Sequence, residues 1–318
     1  MSAFQCYYCQ SKAGIKCFDT EDFYGDHFSI IQCHTCDTFN LSPRPTAAQL
    51  ERAYNRDYYG AGDSKFNPAI EKMLLASKKR RAKLIAKHVG SGKVLDIGCA
   101  DGSALSQFHA LGNFECEGIE IDAESALRAS KNEHIKLHIG QLKDLDLAEN
   151  SYSAITLNHV FEHLPDPKFV LEKAAKLLNS NGVLMIAIPN IESYQAKCFK
   201  SNWFHLDPPR HLFFMTRKRL ISELGKLGFE LKHELHDHFE YNPYGYQQSI
   251  LNVLQNQRES LYEWLKGNKH EVHASAFNIF IQRLFVYFTL PLFWLLSKVA
   301  AGLKKSGTME FYFVKKAN

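Results

Sequence analysis

The sequence lacks a strong charge imbalance, an internal repeat and any tract of low complexity. Its 38 lysine and arginine residues nearly balance 34 aspartate and glutamate residues, which gives a formal net charge of +4. So small an excess does not predict a nucleic-acid partner, because such partners are bound through concentrated positive charge. Residues 1–10 are polar and include two cysteines, so we expect no secretory signal and a cytoplasmic protein. Hydrophobic residues make up 45% of the chain, which excludes a disordered protein.

The eight cysteines are too few for a disulfide framework in a chain of 318 residues, and four of them form two close pairs. Two residues separate Cys6 from Cys9, and two separate Cys33 from Cys36. Each pair can direct two thiolates at one ion, so the four predict a closed structural zinc site. Thioredoxin-like redox motifs are the weaker alternative, because neither pair follows a strand–helix–strand pattern. We predict a zinc ribbon over residues 1–45, in which the metal replaces a hydrophobic core.

A strand, a turn of small residues and a helix follow one another over residues 94–111. Gly98, Ala100 and Gly102 leave the backbone of the turn open to a ligand, next to the N–H groups that begin the helix. A second strand ends in Glu120, where a carboxylate can hold the hydroxyl groups of a ribose. The sequence predicts a nucleoside-containing ligand at this turn.

The turn does not have the Gly-x-Gly-x-x-Gly pattern of dinucleotide sites. It reads Asp-x-Gly-x-Ala-x-Gly, with Asp96 before the turn and Asp101 within it. Two carboxylates would repel a pyrophosphate but suit a ligand that carries a free amino group. A nicotinamide oxidoreductase is therefore disfavoured, and S-adenosylmethionine (SAM) is the ligand that these residues favour.

This turn closely resembles the first motif of class I SAM-dependent methyltransferases, and Gly118-Ile-Glu120-Ile-Asp122 resembles their second. The resemblance implies an α/β fold, with a Rossmann-like seven-stranded sheet whose last strand lies antiparallel between the fifth and sixth. A SAM-fold module without catalytic activity is the alternative. The resemblance and the turn together predict these residues as the cofactor site: Asp96, Gly98, Ala100, Asp101, Gly102, Glu120, Ile121, Gln141, Leu142 and Asn158.

Strand and helix patterns alternate from residue 93, as in a parallel sheet covered by helices. We predict a helical linker with an N-terminal helix over residues 46–92, a SAM-binding core over 93–241, a helical insertion over 242–307 and a final strand over 308–318. The basic run at residues 78–81 is predicted to be a solvated helix face.

Residues 157–167 resemble the equivalent segment of ubiquinone-biosynthesis O-methyltransferases and of their relatives that modify sugars and glycans. Some of those relatives have Glu-x-x-Glu-His here and hold a divalent ion, but this chain has His159 in place of the first glutamate. We therefore expect Glu162 and His163 to cap and pin a short helix over the cofactor rather than to bind a metal.

A rigid loop over residues 203–212 gathers aromatic and charged side chains beyond the fifth strand. Its Pro-Arg-His-Leu segment resembles zinc-ribbon-bearing methyltransferases of glycan and deoxysugar pathways. The resemblance favours a small or lipid-linked carbohydrate acceptor, with a quinone-like small molecule as the alternative. We predict His211 as the general base, with Asp207 and Arg210 beside it and with His159 and Glu162 in reserve. The alternative is that Arg210 and His211 only brace the loop.

An apolar run over residues 284–296 is too short to span a bilayer, which needs about 20 residues. Basic residues flank it, and Pro291 is expected to kink it. Aromatic and leucine side chains with basic ends suit a helix in a membrane interface, on the inner face of the membrane. A buried core helix and a contact in a homodimer are the alternatives.

Overall fold

The computed structural model describes residues 4–54, 68–121 and 124–317. The chain forms two compact units. The ribbon unit comprises Met1–Asn67, Pro189–Arg219 and Leu235–Met309, and the sheet unit comprises Pro68–Ile188, Leu220–Glu234 and Glu310–Asn318. These units divide the chain differently from the predicted ranges, because residues 189–219 belong with the ribbon rather than with the predicted core.

The described residues contain eleven strands and ten α-helices. In chain order they are β1 (Gly14–Glu21), β2 (His27–Cys33), β3 (Phe39–Ser42), α1 (Ala47–Ala53), α2 (Pro68–Val89), β4 (Gly92–Ile97), α3 (Ser103–His109), β5 (Phe114–Glu120), α4 (Glu124–Ala129), β6 (Ile135–Ile139), β7 (Tyr152–Asn158), α5 (Pro167–Leu177), β8 (Leu178–Pro189), α6 (Tyr194–Phe199), β9 (Phe213–Phe214), α7 (Arg217–Lys226), β10 (Phe229–Leu235), α8 (Asn242–Leu254), α9 (Ser260–Lys266), α10 (Ala276–Gly302) and β11 (Thr308–Lys315).

The larger sheet has seven strands in the order β10-β11-β8-β7-β4-β5-β6. Strands β8, β7, β4, β5 and β6 pair in parallel with their neighbours. The central residues of β8, β7, β4 and β5 are buried on both faces, as in β8, where the apolar run at residues 183–188 is buried throughout. The last strand of the chain lies between β8 and β10, as the resemblance implies. The predicted Rossmann-like α/β fold is confirmed.

Helix α5 of the sheet unit begins where the sequence provides the signals. At α5, the Asp166 carboxylate accepts a hydrogen bond from the Phe169 backbone N–H at 3.1 Å, and Pro167 occupies the first turn. An apolar stripe that includes Leu171 and Ala174 then packs inward. Helix α5 therefore follows from local residues and from its apolar face.

The ribbon unit contains a sheet of four strands in the order β1-β2-β3-β9. Strand β9 pairs antiparallel with β3 and so brings residues from the middle of the chain to the N-terminal ribbon. Behind this sheet lies an apolar cluster of Phe28, Ile30, Leu41, Ile191, Ala196, Trp203, Leu206 and Phe214. The N-terminal ribbon therefore does not depend on a metal ion alone, because it shares a hydrophobic core with residues 191–214.

The basic run on α2 is not the solvated face that the sequence predicts. Arg81 is buried, and its Nε donates to Oε2 of the fully buried Glu310 at 2.5 Å. The Tyr312 hydroxyl donates to Glu310 Oε1 at 2.5 Å, and Arg80 Nη2 lies 3.7 Å from Oε2. Only Lys79 of the four basic residues is fully exposed. The run anchors α2 to strand β11 because β11 carries a carboxylate that water does not reach.

We expect Arg81→Met to destabilise the sheet unit by about 3 kcal/mol, because it leaves the Glu310 carboxylate buried without its closest cation. Urea unfolding followed by circular dichroism measures this change, with Lys79→Met as the matched control. The double variant Arg81→Met/Glu310→Met should recover part of the loss, since it removes both charges. Equal free energies of unfolding for Arg81→Met and Lys79→Met would contradict the assignment.

Candidate cofactor and catalytic site

The predicted cofactor residues meet at the carboxyl ends of four neighbouring strands. Asp96 is next to last in β4, Glu120 is the last residue of β5, and Asn158 is the last residue of β7. Gln141 follows β6 by two residues. Because these strands are parallel neighbours, the four positions lie along one edge of the sheet.

The turn between β4 and α3 is built for close backbone approach. Gly98 and Gly102 both have φ of +74°, and Ala100 has φ of +49°, so three positions of this turn are left-handed. A Cβ atom on Gly98 would lie 2.5 Å from Val160 Cγ2, and one on Gly102 would lie 2.6 Å from Ile135 Cδ1. The two glycines are required for both conformation and space, which fits a turn that cradles a ligand.

The Glu120 carboxylate holds this turn in place. Its Oε2 accepts a hydrogen bond from the Ala100 backbone N–H at 2.7 Å, and its Oε1 accepts one from the Ile121 N–H at 2.9 Å. Burial raises the pKa of Glu120, while these two backbone donors act to lower it. Each oxygen has a second lone pair, so the carboxylate can still accept hydrogen bonds from ribose hydroxyls.

Asp96 supplies a second carboxylate at the same edge. It is buried, and its Oδ1 accepts a hydrogen bond from the Thr156 hydroxyl at 2.5 Å. Burial raises the pKa of Asp96 to about 7, against the opposing effect of the Thr156 hydrogen bond. A cation bound beside Asp96 would favour its charged form. The amino group of SAM is such a cation.

A lysine that the sequence analysis did not assign to the site lies beside the turn. Lys78 Nζ, on α2, is 2.5 Å from Ser103 Oγ and 4.0 Å from Asp101 Oδ1. Although burial acts to raise the pKa of Asp101, Lys78 and the Ser103 hydrogen bonds together lower it. Asp101 is therefore held charged by protein groups. In the sequence, the signal for this contact was the basic run at residues 78–81, which was predicted to be a solvated helix face.

An adenine bound at the ends of β5 and β6 would have both apolar and polar side chains beside it. The Gly140 N–H donates to the Glu120 carbonyl at 2.9 Å, which joins the two strand ends. Leu142 is buried, whereas Ile121 and Gln141 are exposed. Asp122 of the second motif lies outside the described residues.

Asn158, His159 and Glu162 lie together after β7. Asn158 Oδ1 is buried and accepts no hydrogen bond from the described residues. His159 has φ of +55°, and its Nδ1 lies 3.4 Å from Oε1 of Glu162, which is almost completely buried. The segment Phe161–His163 forms a single 3-10 turn, and Asp166 caps the helix that follows. The carboxylate of Glu162 thus faces the imidazole of His159.

The loop predicted to handle substrate belongs to the ribbon unit and is mostly interior. Trp203 is completely buried within the ribbon core, and His205 and His211 are buried as well. His211 Nδ1 lies 2.9 Å from the His205 carbonyl, and its Nε2 lies 3.7 Å from Asp207 Oδ2. Arg210 pairs with Asp207 and donates to the Ala53 carbonyl at 3.2 Å. These contacts fit the alternative in which Arg210 and His211 brace the loop.

The four paired cysteines converge in the ribbon unit. The Cys6 and Cys36 sulfurs lie 3.5 Å apart, as do those of Cys9 and Cys33, and all four sulfurs lie within 4.8 Å of one another. Tetrahedral zinc–thiolate geometry requires sulfurs about 3.8 Å apart, so the donor set fits one zinc ion. The Thr38 hydroxyl lies 3.2 Å from Cys6 Sγ and 3.1 Å from Cys36 Sγ, as an outer-shell group would.

The comparison with protein families settles the class. Residues 70–234, just over half of the chain, match the family described as a methyltransferase domain. The chain belongs to this family. Together with the seven-stranded sheet and its glycine turn, the match defines a class I SAM-dependent methyltransferase.

The chain is also similar to individual proteins. An uncharacterized protein of Methanocaldococcus jannaschii is 26% identical over 152 residues, which cover 48% of this chain and 71% of the relative. The ubiquinone biosynthesis O-methyltransferase of Neisseria meningitidis serogroup A is 28% identical over 105 residues, covering 31% of this chain and 44% of that enzyme. Among solved structures, phosphoethanolamine N-methyltransferase 2 of Haemonchus contortus, in complex with SAM, is 15% identical, with a TM-score of 0.47 over 75% of this chain and 53% of that one.

We expect Glu120→Gln to weaken SAM binding at least tenfold, because a charged hydrogen-bond acceptor contributes about 1.5–3 kcal/mol per bond. Glutamine keeps the side-chain length, so the turn retains an acceptor. Titration calorimetry measures the affinity, with Glu115→Gln as control, since Glu115 lies exposed on the same strand. Equal SAM affinity in Glu120→Gln and the wild type would show that Glu120 does not contact the cofactor.

Proposed function

We propose that this methyltransferase transfers the methyl group of SAM to a hydroxyl of a small or lipid-linked carbohydrate. The observation that carries O-methylation is the pairing of His159 with buried Glu162 at the carboxyl end of β7, the edge at which the candidate cofactor residues lie. The carbohydrate acceptor is supported by the resemblance of residues 157–167 and 203–212 to sugar- and glycan-modifying methyltransferases.

A sugar hydroxyl keeps its proton at neutral pH, so it is a poor nucleophile until a base removes that proton. When bound, SAM supplies a methyl group already activated on a sulfonium. His159 is half-buried, and its Nδ1 faces the Glu162 carboxylate. This contact favours the tautomer with the proton on Nδ1, in which Nε2 carries the lone pair that accepts a proton. Glu162 then stabilises the imidazolium that forms.

The sequence alone favours His211 as the general base. With the contacts of both residues known, His159 is the better candidate. The Nδ1 atom of His211 contacts a backbone carbonyl, and its Nε2 faces the Asp207 carboxylate, which also pairs with Arg210. The Nδ1 atom of His211 is thus engaged within its own loop, and the carboxylate that faces Nε2 is already paired with Arg210. We therefore propose His159 as the general base, with Glu162 as its partner.

We expect His159→Asn to reduce turnover by about 10²–10⁴-fold while SAM affinity stays unchanged, because a general base contributes this much to rate. Asparagine tolerates the positive φ of residue 159, so the backbone is preserved. His211→Asn is the matched comparison, and Glu162→Gln should give an intermediate loss. If His159→Asn turns over at the wild-type rate, the base lies elsewhere.

A quinone-like phenol is the second candidate acceptor, and the ubiquinone-biosynthesis relatives favour it. Profiling metabolites and glycans of a deletion strain, after labelling with isotopic methionine, tests the two acceptors directly. The kinetic test is independent: a phenol ionises near pH 10, well below a sugar hydroxyl, so loss of His159 should cost less with a phenol. Absence of any labelled product would favour the SAM-fold module without catalytic activity.

We further propose that Cys6, Cys9, Cys33 and Cys36 hold one structural zinc ion. A closed shell of four thiolates offers no open position for a substrate. The role of this zinc ion is to stabilise the short strands β1–β3.

We expect elemental analysis to find one zinc per chain, and Cys9→Ser to lose it. The variant should become sensitive to proteolysis in the ribbon unit and retain SAM binding, because the candidate cofactor residues belong to the sheet unit. Cys17→Ser is the control, since Cys17 is exposed on β1. Wild-type protein without zinc would rule out the site.

A further inference from the structure

Helix α10 exposes many large apolar side chains to solvent. It runs without interruption through Pro291, and an 18-residue window within it has a mean hydropathy of 1.7 with only 17% of its residues buried. Helix α10 is thus long and apolar enough to cross a membrane. The interpretation of residues 284–296 as a buried core helix is wrong, because most of these side chains are exposed or half-exposed.

The inward face of α10 combines buried apolar side chains, among them Ile279 and Phe293, with polar ones. The Gln247 Nε2 atom, on α8, donates to the Val286 carbonyl at 2.7 Å and to Thr289 Oγ1 at 3.0 Å. Gln282 is buried as well and donates to Ser260 Oγ at 3.2 Å. Polar side chains that join helices while apolar ones face outward are the arrangement expected in a lipid environment.

The outward face is almost entirely apolar. Tyr287 is 73% exposed and Phe288 is 72% exposed, although both side chains are large and hydrophobic. The other large apolar residues exposed on α10 or just beyond it are Phe277, Phe280, Ile281, Leu292, Trp294, Leu295, Leu296, Val299 and Leu303. So large an exposed patch marks an interaction surface.

The charges on this helix are of one sign. Residues 276–302 contain no aspartate or glutamate, and the basic residues are Arg283 and Lys298, followed by Lys304 and Lys305. Lys298 contacts Asp237 at 2.5 Å and lies 5.7 Å from the centre of the Trp294 ring. Basic and aromatic groups at the rim of an apolar face complement the anionic headgroups of a bilayer. Two copies of this face would instead bring like charges together.

The dimensions favour a helix that lies in the plane of the membrane. Residues 284–297 carry no charge and span about 21 Å, which is less than the hydrocarbon thickness of about 30 Å. One side of α10 packs on α8 through Gln247, Val286 and Thr289, so lipid cannot surround the helix. An interfacial helix satisfies both conditions.

We propose that the outward face of α10 docks the protein on an anionic lipid bilayer, with Tyr287, Phe288 and Leu295 inserted below the headgroups. The docking does not depend on the identity of the acceptor. The docking also bears on the acceptor. If the acceptor is a lipid-linked carbohydrate, as the proposed function has it, the acceptor would lie at the same membrane surface; this consequence rests on the proposed function.

Flotation with vesicles tests the docking directly. We expect the wild-type protein to float with phosphatidylcholine–phosphatidylglycerol vesicles at low salt and to bind phosphatidylcholine alone at least about tenfold more weakly. Phe288→Asp/Leu295→Asp should reduce binding about tenfold or more. The matched control, Ile15→Asp/Leu127→Asp, adds the same charge at exposed apolar positions of β1 and α4 and should float like the wild type. Wild-type resistance of the ribbon unit to proteolysis, together with retained SAM binding, verifies that both variants fold.

Quenching by brominated lipids adds a second readout. Of the three tryptophans, Trp203 is buried, Trp264 is half-buried and Trp294 is exposed. Bilayer insertion should therefore quench Trp294 most strongly, and Trp294→Phe should lose most of the quenching seen in the wild type. Wild-type protein that stays in the soluble fraction with both vesicle types would overturn the proposal. So would a wild-type dimer, unable to float, that Phe288→Asp/Leu295→Asp converts to monomers, because a second copy would then cover this face.

Discussion

The candidate cofactor site depends on one buried carboxylate, that of Glu120. It joins the turn after β4 to the end of β5 through the backbone N–H groups of Ala100 and Ile121. Burial raises the pKa of this group, so each backbone donor matters in keeping it charged. Ala100 adopts a left-handed conformation that costs free energy for a residue with a Cβ, and the bond to Glu120 offsets that cost. The glycines give the turn room, whereas Glu120 gives it a fixed shape.

The parts of the molecule that the sequence predicts well are those in which neighbouring residues determine the outcome. The run Val-Leu-Asp-Ile and the small residues after it define a strand and a turn locally, and the structure has both. The four cysteines converge because each pair is close in sequence and only two short segments must meet. The edge at which Asp96 and Asn158 lie also follows, since parallel strands present the same end to a ligand.

Contacts between residues far apart in the chain could not be predicted in this way. Arg81 and Glu310 are separated by 229 positions, and neither residue alone indicates that the other is buried. A run of basic residues is usually exposed to solvent. That expectation was wrong for residues 78–81, because strand β11 places the Glu310 carboxylate beside Arg81. The burial of the loop around Trp203 could not be predicted for the same reason, because strand β9 pairs with β3 and draws the loop into the ribbon core.

Helix α10 shows how the structure excludes one of the interpretations that composition leaves open. An apolar run suits a core, a dimer contact and a membrane surface equally, because each removes the same side chains from water. The distinguishing feature is the direction in which Gln282 and Thr289 point, and both face the helices of their own unit. The inward face of α10 already buries Ile279 and Phe293, while Phe288 stays exposed, so the helix has apolar side chains on two sides. Covering the outer face with apolar material gains free energy, and the proposed bilayer would do this without a complementary protein surface.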